Sequence, residues 1–452
     1  MTVLGMTLGS VASAQQSQPS AAYLLSLLRD GYTMPRLEAM ALEETLRSNP
    51  SDVASRAKLL GFYASQSIRT IERADLIEAR RRHILWLIDN QPTSPLAAAP
   101  EAVIDARGHV FSDPKGYAEA RRHWMALAES ADPAPAIVRN AANFLQFNDH
   151  YLAEILLLRA RERDPDDRAW AFDLGRLYAL GILRVAGYTP TGAPAAIDFS
   201  DEAVSFARKA RRVVDASPDP QLVGTAATIL VQQGLLVRRA RLDSFGQEMQ
   251  RFAEKQLLRV QAWPMLARLY LLQRDEARLA ADKRLLARKA LDVLTRQLAG
   301  AHDDNERFRL LVLERIAVVA FQAGRLEDGT AYARDMLALA VARSAESQYA
   351  EAIHTANVVL GRIALQRGDL TLAKEHLKSA AASPGGGTLA INGPRMDLAR
   401  DLLLAGERPT VVAYLDACRG FWAAGRDRKI IDEWLTVVRS GKMPRFEGYL
   451  DP

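Results

Sequence analysis

The sequence predicts an all-α fold, a solenoid of antiparallel helix pairs stacked in an array. Three observations carry this expectation. First, a spaced set of small and apolar residues recurs along the chain. Leu360, Gly361, Ala364, Gly368, Ala373, Leu377 and Ala380 return thirty-eight residues on as Leu398, Ala399, Leu402, Gly406, Val411, Leu415 and Cys418. Forty-four residues earlier the same offsets give Ile316, Ala317, Ala320, Gly324, Gly329, Ala333 and Met336. Self-similarity at such a period marks a helical repeat. Second, hydrophobic residues make up 49% of the chain and aromatics 7%, with abundant Ala and Leu, a balance that suits helices. Third, no convincing alternation of polar and apolar residues marks a strand.

Helices are expected from about Ala21 to about Gly441. Weak forms of the pattern appear at Leu60 with Tyr63, after Asn49-Pro50, and at Trp86 before Gln91-Pro92. Residues 92–100 read as a loop, and so do residues 106–114, which contain Gly108 and Asp113-Pro114. Residues 132–166 carry Ile137, Ala141 and Phe144, then Ala153, Leu157 and Ala160, at steps of four and three. Each trio marks one apolar helix face. Ala141, Ala153 and Ala160 are small enough to let two backbones approach closely. Asn148-Asp149 is expected between the helices, and Pro165 ends the second one because it restricts the residue before it. The next helix carries Leu174, Gly175 and Tyr178. Residues 187–199, with Pro190, Gly192 and Pro194, read as an insertion inside a repeat. Leu266-Ala267 with Tyr270 is another weak match. Polar residues 300–306 are expected to divide two halves, and residues 383–387 form a Ser-Pro-Gly-Gly-Gly break before Gly393-Pro394.

At these positions the chain resembles the tetratricopeptide repeat family. The resemblance is good at residues 134–167, 310–343, 354–387 and 392–425 and at Leu174-Gly175-Arg176-Leu177-Tyr178. It implies a right-handed superhelix with a concave groove. The period drifts between the C-terminal repeats, so loops or helices there are longer than the family norm. The expected organisation is a signal-like segment at 1–20, a helical array at 21–300, a second at 305–440 and an irregular tail at 441–452.

The resemblance also implies groove-lining positions around the small residue of each first helix. These are Arg139, Ala142, Leu145 and Gln146; Arg315, Val318, Phe321 and Gln322; Val359, Arg362, Leu365 and Gln366; and Asp397, Arg400, Leu403 and Leu404. A surface of arginines with glutamine or leucine suits a peptide carboxylate held by guanidinium forks. The competing expectation is that these side chains contact the neighbouring repeat or water.

A net charge of +5, from 59 basic and 54 acidic residues, does not by itself call for nucleic acid. The basic runs Arg80-Arg81-Arg82, Arg208-Lys209 with Arg211-Arg212, and Arg238-Arg239 with Arg241 read as solvent faces with apolar stems. The carboxylate pairs Glu43-Glu44 and Asp303-Asp304 read as solvated charge. The single cysteine, Cys418, sits at a small-residue position and reads as a buried packing residue. Seven histidines form neither a His-x-x-x-His nor a His-Glu-x-x-His spacing. His354 and Asn357 share a helix face and His376 follows Glu375, a pattern that favours interface polar contacts over a metal. The triple glycine at 385–387 lacks the Lys-Ser or Lys-Thr of a phosphate loop. No catalytic residue, metal or cofactor is expected.

Residues 1–14 are small and apolar and end in Ala12-Ser13-Ala14, an A-x-A-like cleavage site without a basic segment before it. They are expected to be the remnant of a secretory signal, with the start assigned downstream of its true position, or a plain tail. No apolar run reaches membrane-spanning length. The leading expectation is a noncatalytic periplasmic or secreted scaffold that binds a protein or peptide, acidic or C-terminal. The alternatives are a cytoplasmic regulator docking on transcription machinery and a helical accessory part of a cell-wall enzyme complex. The latter, resembling the helical ring of soluble lytic transglycosylases, would need a catalytic domain that the tail after residue 440 is too short to hold.

Overall fold

The computed structural model describes residues 20–65, 72–106, 112–184, 200–239, 243–300, 306–342, 349–383, 389, 393–422 and 425–450. All regular structure among them is helical: twenty α-helices and a short 3-10 turn at Pro100–Ala102. The signal-like residues 1–19, Gly108, the insertion at 187–199, the polar residues 301–305 and the glycines at 385–387 lie outside the described residues.

The chain forms two compact units, Met1–Gln256 and Leu257–Pro452. The first contains α1 (Ala21–Gly31), α2 (Arg36–Ser48), α3 (Val53–Ala64), α4 (Arg73–Asn90) and α5 (Pro114–Ala128). It continues with α6 (Pro135–Leu145), α7 (His150–Arg163), α8 (Ala169–Arg184), α9 (Asp201–Ala216), α10 (Pro220–Arg239) and most of α11 (Asp243–Arg259). The second contains α12 (Trp263–Glu276), α13 (Ala280–Ala299), α14 (Glu306–Gln322), α15 (Leu326–Val341) and α16 (Ala350–Gln366). It ends with α17 (Leu370–Ala381), α18 (Asp397–Leu404), α19 (Arg408–Cys418) and α20 (Gly425–Arg439). The helices flanking residues 301–305, α13 and α14, pack on each other inside the second unit. The division falls at 256/257, earlier in the chain than the polar stretch that the sequence singled out.

Helix starts follow side-chain capping. Ser20, Asp52, Asp113, Ser200 and Asp369 each accept a hydrogen bond from a backbone N–H of the helix they precede. That satisfies donors which the first helical turn leaves without intrahelical partners. Pro114 and Pro135 occupy the first turn of their helices, where no N–H is needed.

Three helix ends repeat one geometry. Gly324, Gly368 and Gly406 take φ of 73°, 84° and 88°, the left-handed region. In each case the next residue's N–H reaches back to a carbonyl five residues before it: Arg325 to Ala320, Asp369 to Ala364 and Glu407 to Leu402, all at 2.9 Å. This is the glycine-terminated turn that closes a helix and allows the next to start at once. The three glycines share one offset in the sequence repeat.

Packing is local along the chain. Helices touch mainly the next in sequence, as in α12 with α13, α14 with α15 and α16 with α17. They also touch the next but one, as in α8 with α10, α14 with α16 and α16 with α18. The small residues of the repeat line these contacts. Ala141, Ala153, Ala317, Ala320, Ala333, Ala373, Ala380 and Ala399 are fully buried. One continuous apolar cluster joins Ala373 and Leu377 to Leu402, Leu415, Trp422, Trp434 and Phe446. In the first unit α1 and α3 approach closely: a Cβ on Gly61 would stand 1.9 Å from the Leu28 carbonyl oxygen.

Gly61→Ala and Gly406→Ala separate two costs. At Gly406 an added Cβ meets nothing within 4 Å, so only the left-handed backbone is strained and the loss is about 1 kcal/mol. At Gly61 the added methyl drives two backbones apart, and overpacking costs of about 1–3 kcal/mol or more apply. Urea unfolding should place Gly61→Ala well below Gly406→Ala. Equal losses would contradict the close approach of α1 and α3.

Candidate functional site

In the second unit an open cleft of about 480 Å³ lies along one face of α14. Phe308, Leu311, Arg315, Val318 and Gln322 follow steps of three and four, so they share that face. Leu311 is 59% exposed, unusual for a leucine in a helix otherwise well packed. Leu271, Arg274 and Asp275 of α12 and Leu294 and Gln297 of α13 form the rest of the wall, with Arg395 from the segment before α18. Apolar walls with a few converging polar groups are the usual make-up of a binding cleft.

The polar groups differ in how far they are committed. Arg274 is nearly buried and spends its guanidinium within the wall, donating to Asp275 at 2.6 and 2.9 Å and to the Gln322 side-chain oxygen. Glu314 accepts from the Thr355 hydroxyl at 3.1 Å. Burial pushes its carboxyl up, and repulsion from Glu351 adds to this, against the pull of Arg395 and Arg315. Arg315 is exposed to the cleft. The buried side-chain oxygen of Gln297 has no hydrogen-bond partner among the described residues. Three guanidiniums therefore face Asp275 and a carboxyl whose ionisation is opposed, and the cleft carries excess positive charge.

The structure brings three of the four lining positions expected on α14 to this cleft: Arg315, Val318 and Gln322. The fourth, Phe321, instead lies under the Arg362 guanidinium at 4.4 Å. The remaining candidates sit elsewhere. Arg139 donates to Asp173 at 3.1 Å and to Asp167, and rests 4.2 Å over the Trp170 ring, so it ties α6 to α8. Gln146 is buried at the end of α6, its amide donating to the Asn143 carbonyl at 2.9 Å. Arg362 donates to Asp401 at 2.8 Å and stands 3.4 Å from Asp397, tying α16 to α18. Arg400 donates to the adjacent Asp401 at 3.2 Å. Gln366 is exposed at the end of α16. For Arg139 and Arg362 the contact with a neighbouring helix replaces the expected open groove.

Phe308, Leu311, Arg274 and Arg395 were not among the expected lining residues. The first two were legible in the spacing of α14, one and two turns before Arg315. Arg395 lies between helices, where periodicity carries no signal.

The first basic run departs from expectation, while the second follows it in part. Arg80 is drawn inward to the Glu101 and Val103 carbonyls at 3.4 and 3.0 Å. Arg81 makes a two-pronged contact with Asp113 at 2.7 and 2.6 Å. Arg82 donates to Glu43 at 2.7 Å. Glu43 itself is mostly buried, whereas Glu44 is solvated as expected. Arg208 and Arg212 are exposed, Lys209 pairs with Glu154, and Arg211 pairs with Glu248 at 2.7 Å. The side chains of Arg238, Arg239 and Arg241 lie outside the described residues.

Cys418 is fully buried, and burial pushes its thiol up to about 12. No group of three metal-ligating side chains assembles among the described residues. No described helix is long and apolar enough to cross a membrane. His376 contacts the Asn357 side-chain oxygen at 3.0 Å. His354 is fully buried between the Ala380 carbonyl at 3.0 Å and the Arg395 backbone N–H at 3.1 Å. The carbonyl can only accept and the N–H can only donate, so Nδ1 carries the proton and Nε2 accepts. No protein-family model matches the chain, and no curated protein matches it.

Burial lowers the His354 imidazole from 6.5 to about 4. Above pH 6.5 neither the folded nor the unfolded chain protonates it; between 6.5 and about 4 only the unfolded chain does. Acidification through that window therefore removes stability, by up to about 1.4 kcal/mol per pH unit for one such group. His83 and His376 are shifted in the same direction, mainly by burial, and steepen the loss. Unfolding free energies measured between pH 7.5 and 4.5 should fall with pH, and His354→Asn should flatten the slope. A variant with the wild-type slope would contradict a neutral buried His354.

Proposed function

We propose that the chain is a noncatalytic interaction scaffold, a right-handed superhelical solenoid of the tetratricopeptide type. Its partner is an extended protein segment whose apolar side chains lie against Phe308, Leu311 and Val318. A carboxylate of that segment, acidic or C-terminal, pairs with Arg315. The observation that carries the reading is the α14 face, which sets exposed apolar residues and an exposed guanidinium side by side in an open cleft. Helices that touch mainly their sequence neighbours support the solenoid part. The apolar N-terminal residues favour a periplasmic or secreted setting.

Selection of a peptide library with free C-termini on the full chain should enrich apolar sequences ending in a carboxylate. Amidating the terminus, or replacing Arg315 with alanine, should weaken the enriched peptides by about tenfold, the size of one charge-assisted contact. Arg315 is exposed, so the variant should keep the wild-type unfolding midpoint. No enrichment, or equal affinity in the folded variant, removes the reading.

A further inference from the structure

We infer that the first unit holds a separate binding site for a phosphate monoester. Its place is a pocket of about 410 Å³ between α2, α3 and α4. Three guanidiniums line it, those of Arg47, Arg56 and Arg82, against one carboxylate, Glu43. Leu46 and Trp86 supply apolar wall.

Arg56 is the built element. It is only 5% exposed. One terminal nitrogen donates to the Pro50 carbonyl at 2.7 Å and the other to His83 Nδ1 at 3.1 Å, while the guanidinium lies 3.8 Å over the Trp86 ring. Its Nε–H is buried and has no acceptor among the described residues. A buried, unmatched donor is costly. Because arginine only donates, His83 Nδ1 must accept, and the proton sits on Nε2, which donates to Glu43 at 2.9 Å. Burial keeps His83 neutral by pushing it down, so it adds no charge to the pocket.

Glu43 cannot neutralise the site. It already accepts from Tyr63 at 2.7 Å, from His83 and from Arg82. Burial pushes its carboxyl up, but the hydrogen bonds from neutral His83 and from Tyr63 and the Arg82 charge outweigh this and hold it below the usual carboxylate range. It stays ionised, one negative charge against three positive ones. Arg47 pairs with Glu44 in an exposed contact on the helix surface, and such pairs contribute little. The pocket thus carries an excess of about one to two positive charges. A phosphate monoester carries about −1.5 to −2 at neutral pH, and guanidinium forks match its oxygens. A carboxylate would satisfy only part of that excess. Leu46 and Trp86 select an ester with a small apolar or aromatic body rather than the free ion.

Phenyl phosphate, inorganic phosphate and benzoate, titrated into the full chain at low salt, test the assignment by calorimetry and tryptophan fluorescence. Phenyl phosphate should bind saturably at one site and more tightly than the other two. The side chains of Arg47 and Arg82 are 74% and 54% exposed, so replacing both with glutamine should leave the unfolding midpoint in place. That double variant should bind phenyl phosphate at least about tenfold more weakly. Arg315→Ala, in the other unit, should bind it as the wild type does. The assignment is overturned by a lack of saturable binding, by benzoate binding as tightly, by undiminished affinity in the double variant, or by loss of binding in Arg315→Ala.

Discussion

The chain depends on helix backbones coming close enough to bury seams of alanine and glycine. A single methyl or a hydrogen at Ala141, Ala317, Gly361 or Ala399 leaves room for the facing helix. At Gly361 even a methyl would stand 2.3 Å from the Leu398 side chain. Each such residue contributes little apolar area by itself. The gain comes from the larger neighbours that close approach lets interdigitate, such as Leu377, Leu402, Leu415 and Trp422 in one cluster. The turn glycines serve the same end, because a helix that stops within one residue can be followed at once by its packing partner.

Close seams leave the outer faces to longer side chains, and arginines there act as ties. Arg139 and Arg362, in different units, make the same three-part contact: two aspartates further along the chain, in a later helix or the turn just before it, and an aromatic ring under the guanidinium. The partners Asp173 and Asp401 lie 34 and 39 residues further on, about one repeat. Asp397 is almost fully buried, and burial pushes its carboxyl up against the pull of Arg362, Arg395 and Arg400, so losing Arg362 would take the nearest counter-charge from a buried acid. Arg315 occupies the position corresponding to Arg139, but one repeat further on, here forty-four residues, the place of Asp173 is taken by Val359 rather than an acid. With no carboxylate at that point, the guanidinium stays in the cleft.

That comparison also explains what the sequence could and could not disclose. Small residues, turn glycines and prolines act locally, so the helices and their buried faces were legible: α6 ends before Asn148-Asp149, α7 ends before Pro165, and the repeat residues from Ile316 to Cys418 are buried apart from the turn glycines. Lining positions on α14 were legible for the same reason. Whether an arginine opens to solvent or closes on a neighbour depends on a residue one repeat away, and register decides it. Arg139 and Arg362 looked like Arg315 until Asp173 and Asp401 were placed beside them. Glu43 is a sharper instance. Nothing near it in sequence distinguishes it from the solvated Glu44, yet its partners Tyr63, Arg82 and His83 arrive 20 to 40 residues later. The unit boundary was illegible too, because it falls inside helix α11 and leaves no polar break.

Charge in the α14 cleft is set by the same competition between burial and pairing. Glu314 shares the helix with Arg315, and full ionisation would make it an internal rival for any incoming carboxylate. Burial and the nearby Glu351 oppose that ionisation. Asp275 is held by Arg274, whose guanidinium is also engaged by Gln322. Both acids of the cleft are thereby weakened as partners for Arg315. A guanidinium beside exposed leucine and phenylalanine is then satisfied best by an anion that brings its own apolar surface.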